Sequence, residues 1–481
     1  MLITVVKREC IDHLLSLRFS FALVLVVGLM ILNALGFAAG TYPYKRDGYL
    51  EKMQAQQETQ RTNANRLWQL AVRGPGDLHK KPSKLMFCAA GADHALPDRI
   101  GAYFDQKSTY GRVTLYGSWQ ISFLVSRSFQ ASLERSAQQL LSTRSIDWVF
   151  ILGVILSLVA LLFTFDAIVG EKERGTLRLV MAQSLPRHTL LLGKFLGALL
   201  VLMLVVALGV IVNLLLVLSL SEADLGKTEA VRLAGMVGLA LLYLSFFVSL
   251  GLLVSVRSSS SRSSLVVVLL LWVFGTLLWP QTGGVLAARL LKAQSQNETL
   301  ADMMDMPTWG RMITIAGGLT NRDLRNPEKV QVLAEAMRAQ RRAYREIEDG
   351  LLAAQLGQAE FARHIVRLSP MGCFQYSMEA LAGTGLARHK SLIAQARTYA
   401  QHYNQTIIAL DREDPESMHL FPVAQGMSKR KVNVESLPIF SEDLSATTLI
   451  SQARIDVIGL FFFAISSYML AYWAWLRSSI I

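Results

Sequence analysis

Charged residues are scarce in this sequence: 17% of 481 positions, where a soluble domain carries nearer a quarter. Hydrophobic residues make up 52%. Length alone would suggest about three domains, but the apolar residues gather in blocks of about 20, the length of a helix that crosses a bilayer. A wholly soluble protein is excluded, and a polytopic membrane protein is expected. Catalytic patterns are missing too. There is no His-Glu-x-x-His, Cys-x-x-Cys or Gly-x-Ser-x-Gly, and no glycine-rich dinucleotide fingerprint. The eight histidines are scattered, and none has ligand spacing with a cysteine or a second histidine. Asp93, His94 and Asp98 read as a solvated loop rather than a metal cluster. No metal, no catalytic residue and no cofactor is expected in this chain.

Only three cysteines occur. Cys10 is expected on the cytoplasmic side. Cys88 and Cys373 fall one in each of two long polar segments, where a disulfide between them or two buried free thiols are both open. Gly193-Lys194 is the nearest approach to a phosphate-binding loop. His188 stands five before the glycine and Phe195 follows the lysine, which breaks Gly-x-x-x-x-Gly-Lys-Ser/Thr at two positions. Any ATP-driven work must be done by another polypeptide.

What is present is six apolar blocks, at 19–40, 146–165, 190–220, 233–256, 265–280 and 455–476. Pro280 marks the expected end of the fifth. The first is longer than the roughly 7–15 residues of a signal-peptide core, so it reads as a retained helix. Residues 1–18 alternate polar and apolar at helical spacing and are expected to lie along the membrane surface. Lys and Arg in the short loops set the orientation. Lys7, Arg8 and Arg18, the loop 166–189, the loop 257–264 and Arg477 in the tail 477–481 fall on one side. The short loop 221–232 on the other side is net acidic. Both termini are therefore expected in the cytoplasm, and the large segments 41–145 and 281–454 outside. The net charge of +12 belongs to loops beside anionic lipid and to the outer mass, not to a nucleic-acid site.

The expected fold is an all-α six-span bundle carrying an α+β, mostly helical outer domain. "KLMFCAAG" and "GRVTLYG" look like short strands. A helix is expected from Asn326-Pro327 to Ser369-Pro370, another near "HKSLIAQARTYAQHYNQTIIALDRE", and then a polar loop.

The loop after the second block spends charge where the chain has little. In "FTFDAIVGEKERGTLRLVMAQSLPRHTLLLGKFLG", Asp166 marks the exit from the bilayer, and Glu171 and Glu173 precede a short helix. Thr176 is its expected N-cap, and Leu177, Val180, Met181 and Leu185 recur at spacings of three and four as an apolar stripe. Pro186 ends it, Arg187 and Lys194 flank the re-entry, and Gly193 and Gly197 allow close helix approach. By itself this could be a connecting loop bound to lipid headgroups, or a docking surface for a soluble partner.

The segment resembles the signature of type-2 ABC exporter permeases: an acidic stretch running into Gly-Thr-Leu between spans two and three, then Pro-x-x-Arg/His and Gly-Lys. The resemblance rests on Asp166, Glu171, Glu173, Arg174, Gly175, Thr176, Leu177, Pro186, Gly193 and Lys194. It extends to a bacterial subgroup with large extracytoplasmic insertions between spans one and two and between five and six. It implies a coupling helix at about 170–186 seated in a cleft of a separate ATPase subunit, with Glu171, Glu173, Arg174 and Arg178 docking. It further implies two ATPase copies that carry ATP and magnesium, a second permease copy, a bacterial inner membrane, and a periplasmic partner as one use of the outer mass. The size of that mass also suits a scaffold or force-transmitting envelope complex that moves no cargo. A membrane-anchored outer enzyme is disfavoured by the missing catalytic patterns.

Overall fold

The computed structural model describes residues 2–94, 96–103, 108–110, 113–116, 118–122, 146–182, 186–291 and 296–478. Among the described residues, six helices are long and apolar enough to cross a membrane. An amphipathic helix, α1 (Leu2–Leu14), precedes them. Then α2 (Leu17–Asn63) runs 47 residues without a break, so the first apolar block and the polar run after it form one rod. Ser16 starts it by accepting from Phe19 N, and a π-helical stretch, Phe37–Thr41, joins its two halves. A short helix, α3 (Leu67–Arg73), follows.

The second span is α4 (Trp148–Glu173), then come the short α5 (Thr176–Met181), α6 (Arg187–Leu220), α7 (Lys227–Arg257) and α8 (Ser261–Leu290). Pro280 does not end α8, contrary to expectation. A π-helical stretch, Val273–Leu278, comes immediately before it, and widening the turn there removes the clash and the lost hydrogen bond that proline otherwise imposes. The next elements are α9 (Gln296–Met304), α10 (Pro307–Gly317) and α11 (Pro327–Val366), which is 40 residues long and capped by Asn326 accepting from Glu328 N. After them come α12 (Pro370–Ala382), capped by Ser369, and α13 (Gly385–Arg412). Finally α14 (Ala446–Arg477) carries the last apolar block.

The spans share one apolar core, from Ala22 and Met30 through Phe163 and Tyr243 to Trp475. Their outward faces expose large apolar side chains such as Phe21, Leu215 and Phe462, as helices facing hydrocarbon do. Most polar side chains buried among the spans are hydrogen-bonded. Asn213 donates to Met30 O (2.7 Å) and to Asn33 Oδ1 (2.8 Å), and accepts from Trp148 Nε1 (3.2 Å). Asn33 donates in turn to Phe87 O and Ile146 O. This relay ties α2, α6, the start of α4 and the segment around Phe87. That segment is the expected strand "KLMFCAAG". It is instead a run of turns whose side chains, Leu85 to Ala89, are buried in the span core. α12 is likewise inserted among the spans: Phe374 stacks on Tyr243 at 4.4 Å.

A polar lobe is built from residues on either side of spans two to five. Its main core joins Leu67 and Leu70 of α3, Trp119, and Tyr399, Tyr403 and Ile407 of α13. Five short strands lie beside it: β1 (Leu78–His79), β2 (Arg99–Tyr103), β3 (Ser108–Tyr110), β4 (Val113–Leu115) and β5 (Gln120–Ser122). They form an antiparallel sheet in the order β1-β2-β5 and a β3-β4 hairpin, so "GRVTLYG" supplies a strand at Val113–Leu115. Ion pairs are buried here. Arg388 makes two 2.8 Å bonds to Glu442, both side chains 1% exposed. Asp93, of the expected solvated loop, is buried against Lys80. Just after α11, Arg367 grips Asp456 of α14 through Nε and Nη2, at 2.5 and 3.1 Å. Cys88 and Cys373 are buried free thiols and form no bridge; Cys373 donates to Arg367 O.

Candidate functional site: the charged segment after span two

Residues 166–182 fold as two short helical pieces with an elbow. After a turn at 165–168, the last turn of α4, Val169–Glu173, stops at Arg174. Gly175 then takes φ +71°, a left-handed conformation that favours glycine, and re-aims the chain into α5. Gly175 is thus the N-cap, and Thr176 is the first helical residue; the expected Thr176 cap is not formed, and its hydroxyl reaches back to Glu171 O at 3.4 Å.

Polar clips fix the segment on several sides. Arg18 of α2 holds Asp166 through both nitrogens (3.1 and 2.8 Å) and Leu162 O (2.8 Å). Ser255 of α7 accepts from both Ile168 N and Val169 N at 3.0 Å, occupying two amides that the turn leaves open. Lys172 donates to Val256 O at 2.8 Å. Glu173 accepts from Ser261 N (2.9 Å) and Ser261 Oγ (2.5 Å), at the N-terminus of α8 where the helix favours negative charge. Ser264 donates to Phe165 O. Arg174 folds back onto Gly170 O. Every one of these contacts is at the same end of the bundle.

Where the chain re-enters the bundle, Pro186 is the N-cap of α6. Arg187 donates to Leu476 O (2.9 Å) at the end of α14, and Trp475 Nε1 returns a bond to Arg187 O. Gly193 and Gly197 do allow a close approach, and the helix that approaches is α1. A Cβ on Gly193 would lie 2.5 Å from Val5 Cγ1, and one on Gly197 2.6 Å from Glu9 Cβ. Lys194 between them is 3% exposed and pairs at 2.8 Å with both Glu9 and Glu171.

The expected apolar stripe faces inward: Leu177 is 1% exposed, and Val180 and Met181 pack on the span core. Leu185 lies outside the described residues. Of the residues that resemblance assigns to docking, Glu171 and Glu173 are engaged within the chain, whereas Arg174 and Arg178 are exposed. Beside Arg178, Leu179 is 70% exposed, a leucine presented outward at the tip with Thr176. Leu179, Arg18, Glu9, Ser255 and Ser261 were not foreseen. The serine-rich run after Val254 was the available signal, because hydroxyls near a helix end are the usual partners of open backbone groups.

Six candidate spans, an N-terminal amphipathic helix packed on the third and a short exposed helix between the second and third describe a multi-pass membrane protein. The model of the ABC-2 family transporter proteins matches residues 3–404, and the chain belongs to that family. It is similar to the probable ABC transporter permease protein NosY of Pseudomonas aeruginosa, with 40% identity over 129 residues, 26% of this chain and 46% of that one. It is also similar to the protein of the same name from Stutzerimonas stutzeri, with 51% identity over 55 residues, 11% and 20% of the two chains. The matched stretch thus spans less than half the length of either curated relative.

Proposed function

We propose that this chain is the membrane subunit of an ATP-driven exporter in a bacterial inner membrane, worked by two copies of a separate ABC ATPase through residues 166–182 and paired with a second permease copy. ATP and magnesium belong to the ATPase. The observation that carries this reading is the outward set Thr176, Arg178 and Leu179 on a short helix that follows, across the Gly175 elbow, a stretch (166–173) clipped to spans one, four and five. A handle must be stiff toward the spans and bare toward its driver, and this segment is both. The cytoplasmic side is the one holding the clipped segment, Arg18, Arg187 and Arg477, by the distribution of Lys and Arg in short loops. The polar lobe is then extracytoplasmic, free to meet a periplasmic partner. The outer face of α1, with Ile3, Ile11 and Leu15 exposed beside Lys7 and Arg8, rests on anionic lipid.

The test is co-expression of the full chain with an ABC ATPase subunit of the same organism. Arg178→Glu, Leu179→Asp and Gly175→Pro should leave the protein inserted yet reduce ATPase co-purification and stimulation at least about tenfold, the loss of a buried anchor at an interface. Glu173→Lys should uncouple without loss of binding, because it releases α8 rather than the docking face. Unchanged stimulation in all four sinks the assignment. A second reading, force transmission without cargo, is favoured by the unbroken α2 and by the Arg367–Asp456 grip, which fasten the lobe to the spans. Lobe movement on ATP addition with no flux of any co-purified molecule would select it.

A further inference from the structure

Lys194 is a buried cation shared between two elements far apart in sequence. Its Nζ lies 2.8 Å from Glu9 Oε1 on α1 and 2.8 Å from Glu171 Oε1 in the clipped segment. The approach is built: glycines 193 and 197 bring the α1 backbone onto α6 on either side of the lysine. Glu171 has little else. Its second carboxylate oxygen, Oε2, is buried and has no hydrogen-bond partner among the described residues, so Lys194 is the donor that keeps this carboxylate inside. A carboxylate stripped of its cation there is left unpaired and partly desolvated, which disfavours this pose of the segment.

We infer that Lys194 is a positioning residue for the coupling segment: through its shared ammonium, α1 and residues 166–174 move as one piece with the start of span three. The N-terminal helix is then a second input to the handle, so that whatever lifts α1 off the membrane surface also loosens the segment. This inference rests on the proposed role of the segment, but its physical core does not need a partner.

Hydrogen exchange of the full chain in lipid nanodiscs tests it. Lys194→Met should speed amide exchange at least about tenfold both in residues 2–14 and in 166–174, while 370–382 keeps its protection. Lys194→Arg should restore most of it. Glu9→Gln should accelerate 166–174, and Glu171→Gln should accelerate 2–14, because Lys194 bonds both carboxylates and passes the loss of one to the other. The reversed triple variant Glu9→Lys, Lys194→Glu, Glu171→Lys should return both regions to within about threefold of the parent, as a pure packing role for Lys194 would not. Wild-type exchange in 166–174 for Glu9→Gln together with wild-type exchange in both regions for Lys194→Met overturns the inference, and global loss of protection in Lys194→Met leaves the two glutamine variants to decide. ATPase stimulation is read separately. A chain that never stimulates a co-expressed ATPase, yet shows the reciprocal exchange, refutes the exporter reading and keeps the joint.

Discussion

The two ends of the bundle are held by opposite means. At the lobe end, side chains are buried deeply. α12 is inserted among the spans, Asn33 and Asn213 close a relay with Trp148, and Arg388 and Glu442 are almost wholly enclosed. At the other end, the segment 166–182 is held mainly by polar clips on a partly exposed frame, Arg18 to Asp166, Lys172 to Val256 O and Glu173 to Ser261, with the buried Lys194 also pairing with Glu171. Buried groups lose heavily when a partner is removed, because the remaining one is stranded without water. Exposed clips lose far less, because water and salt screen them. One end is therefore a fixed foundation, and the other is a fitting that can be re-posed as a unit without unfolding the protein.

Substitutions that strand a buried group should separate the two ends most sharply. Arg388→Met leaves Glu442 enclosed without its cation and should cost about 3–5 kcal/mol, seen as a large fall in melting temperature in detergent. The double variant with Glu442→Leu should recover much of that loss. If Arg388→Met melts like the parent, the lobe end is not the foundation described. Asn213→Leu comes next. It removes the acceptor of Trp148 Nε1 and the donor to Met30 O, for an expected cost of about 1–3 kcal/mol by the same measurement.

Glu379 supplies a pH-dependent version of the same contrast. Burial pushes its carboxyl up to about 7, with Asp147 and Asp456 as further like charges, while Arg363 and the Gln375 hydrogen bond oppose the shift. A carboxyl raised in the folded state binds its proton more tightly than in the unfolded chain. Its contribution is therefore greatest at low pH, declines as pH rises from the unfolded value of about 4.5 to about 7, and is flat above. Relative to Glu379→Gln, the parent should lose about 3 kcal/mol across that window. Melting temperatures of the two proteins at pH 5 and pH 8 check this, and parallel shifts would contradict it. Smallest of all, Leu179→Ala should leave the melting temperature unchanged while weakening ATPase binding. A marked loss of stability there would mean that the tip packs inward after all.

Hydropathy made the spans legible, because an uninterrupted apolar run has few other uses. It was less informative where polar and apolar segments continue one another. The polar half of α2 has no hydrophobic periodicity to announce that it extends a span, and Pro280 has the sign of a stop although the π turn before it absorbs the ring. "KLMFCAAG" is apolar and short, which suits a strand equally well as a plug of turns; only its burial among the spans distinguishes them. At the candidate site, the residue types and spacing of 166–194 singled out one stretch of the chain. What they could not convey is direction. Glu173 looks like a docking charge in sequence and is a clip in space, while Leu179 looks like one more leucine and is the outward tip.

The unbroken course of α2 has a geometrical consequence. A straight helix of 47 residues is about 70 Å long. Arg18 ties its first turn to Asp166, and the far turns carry Gln60 and Asn63 against the lobe. If such a beam cants by about 5°, its two ends shift by about 6 Å relative to one another, roughly one helical turn. With the lobe end held, a slight tilt there is thereby magnified, with no intermediate messenger, into a stroke beside the charged segment.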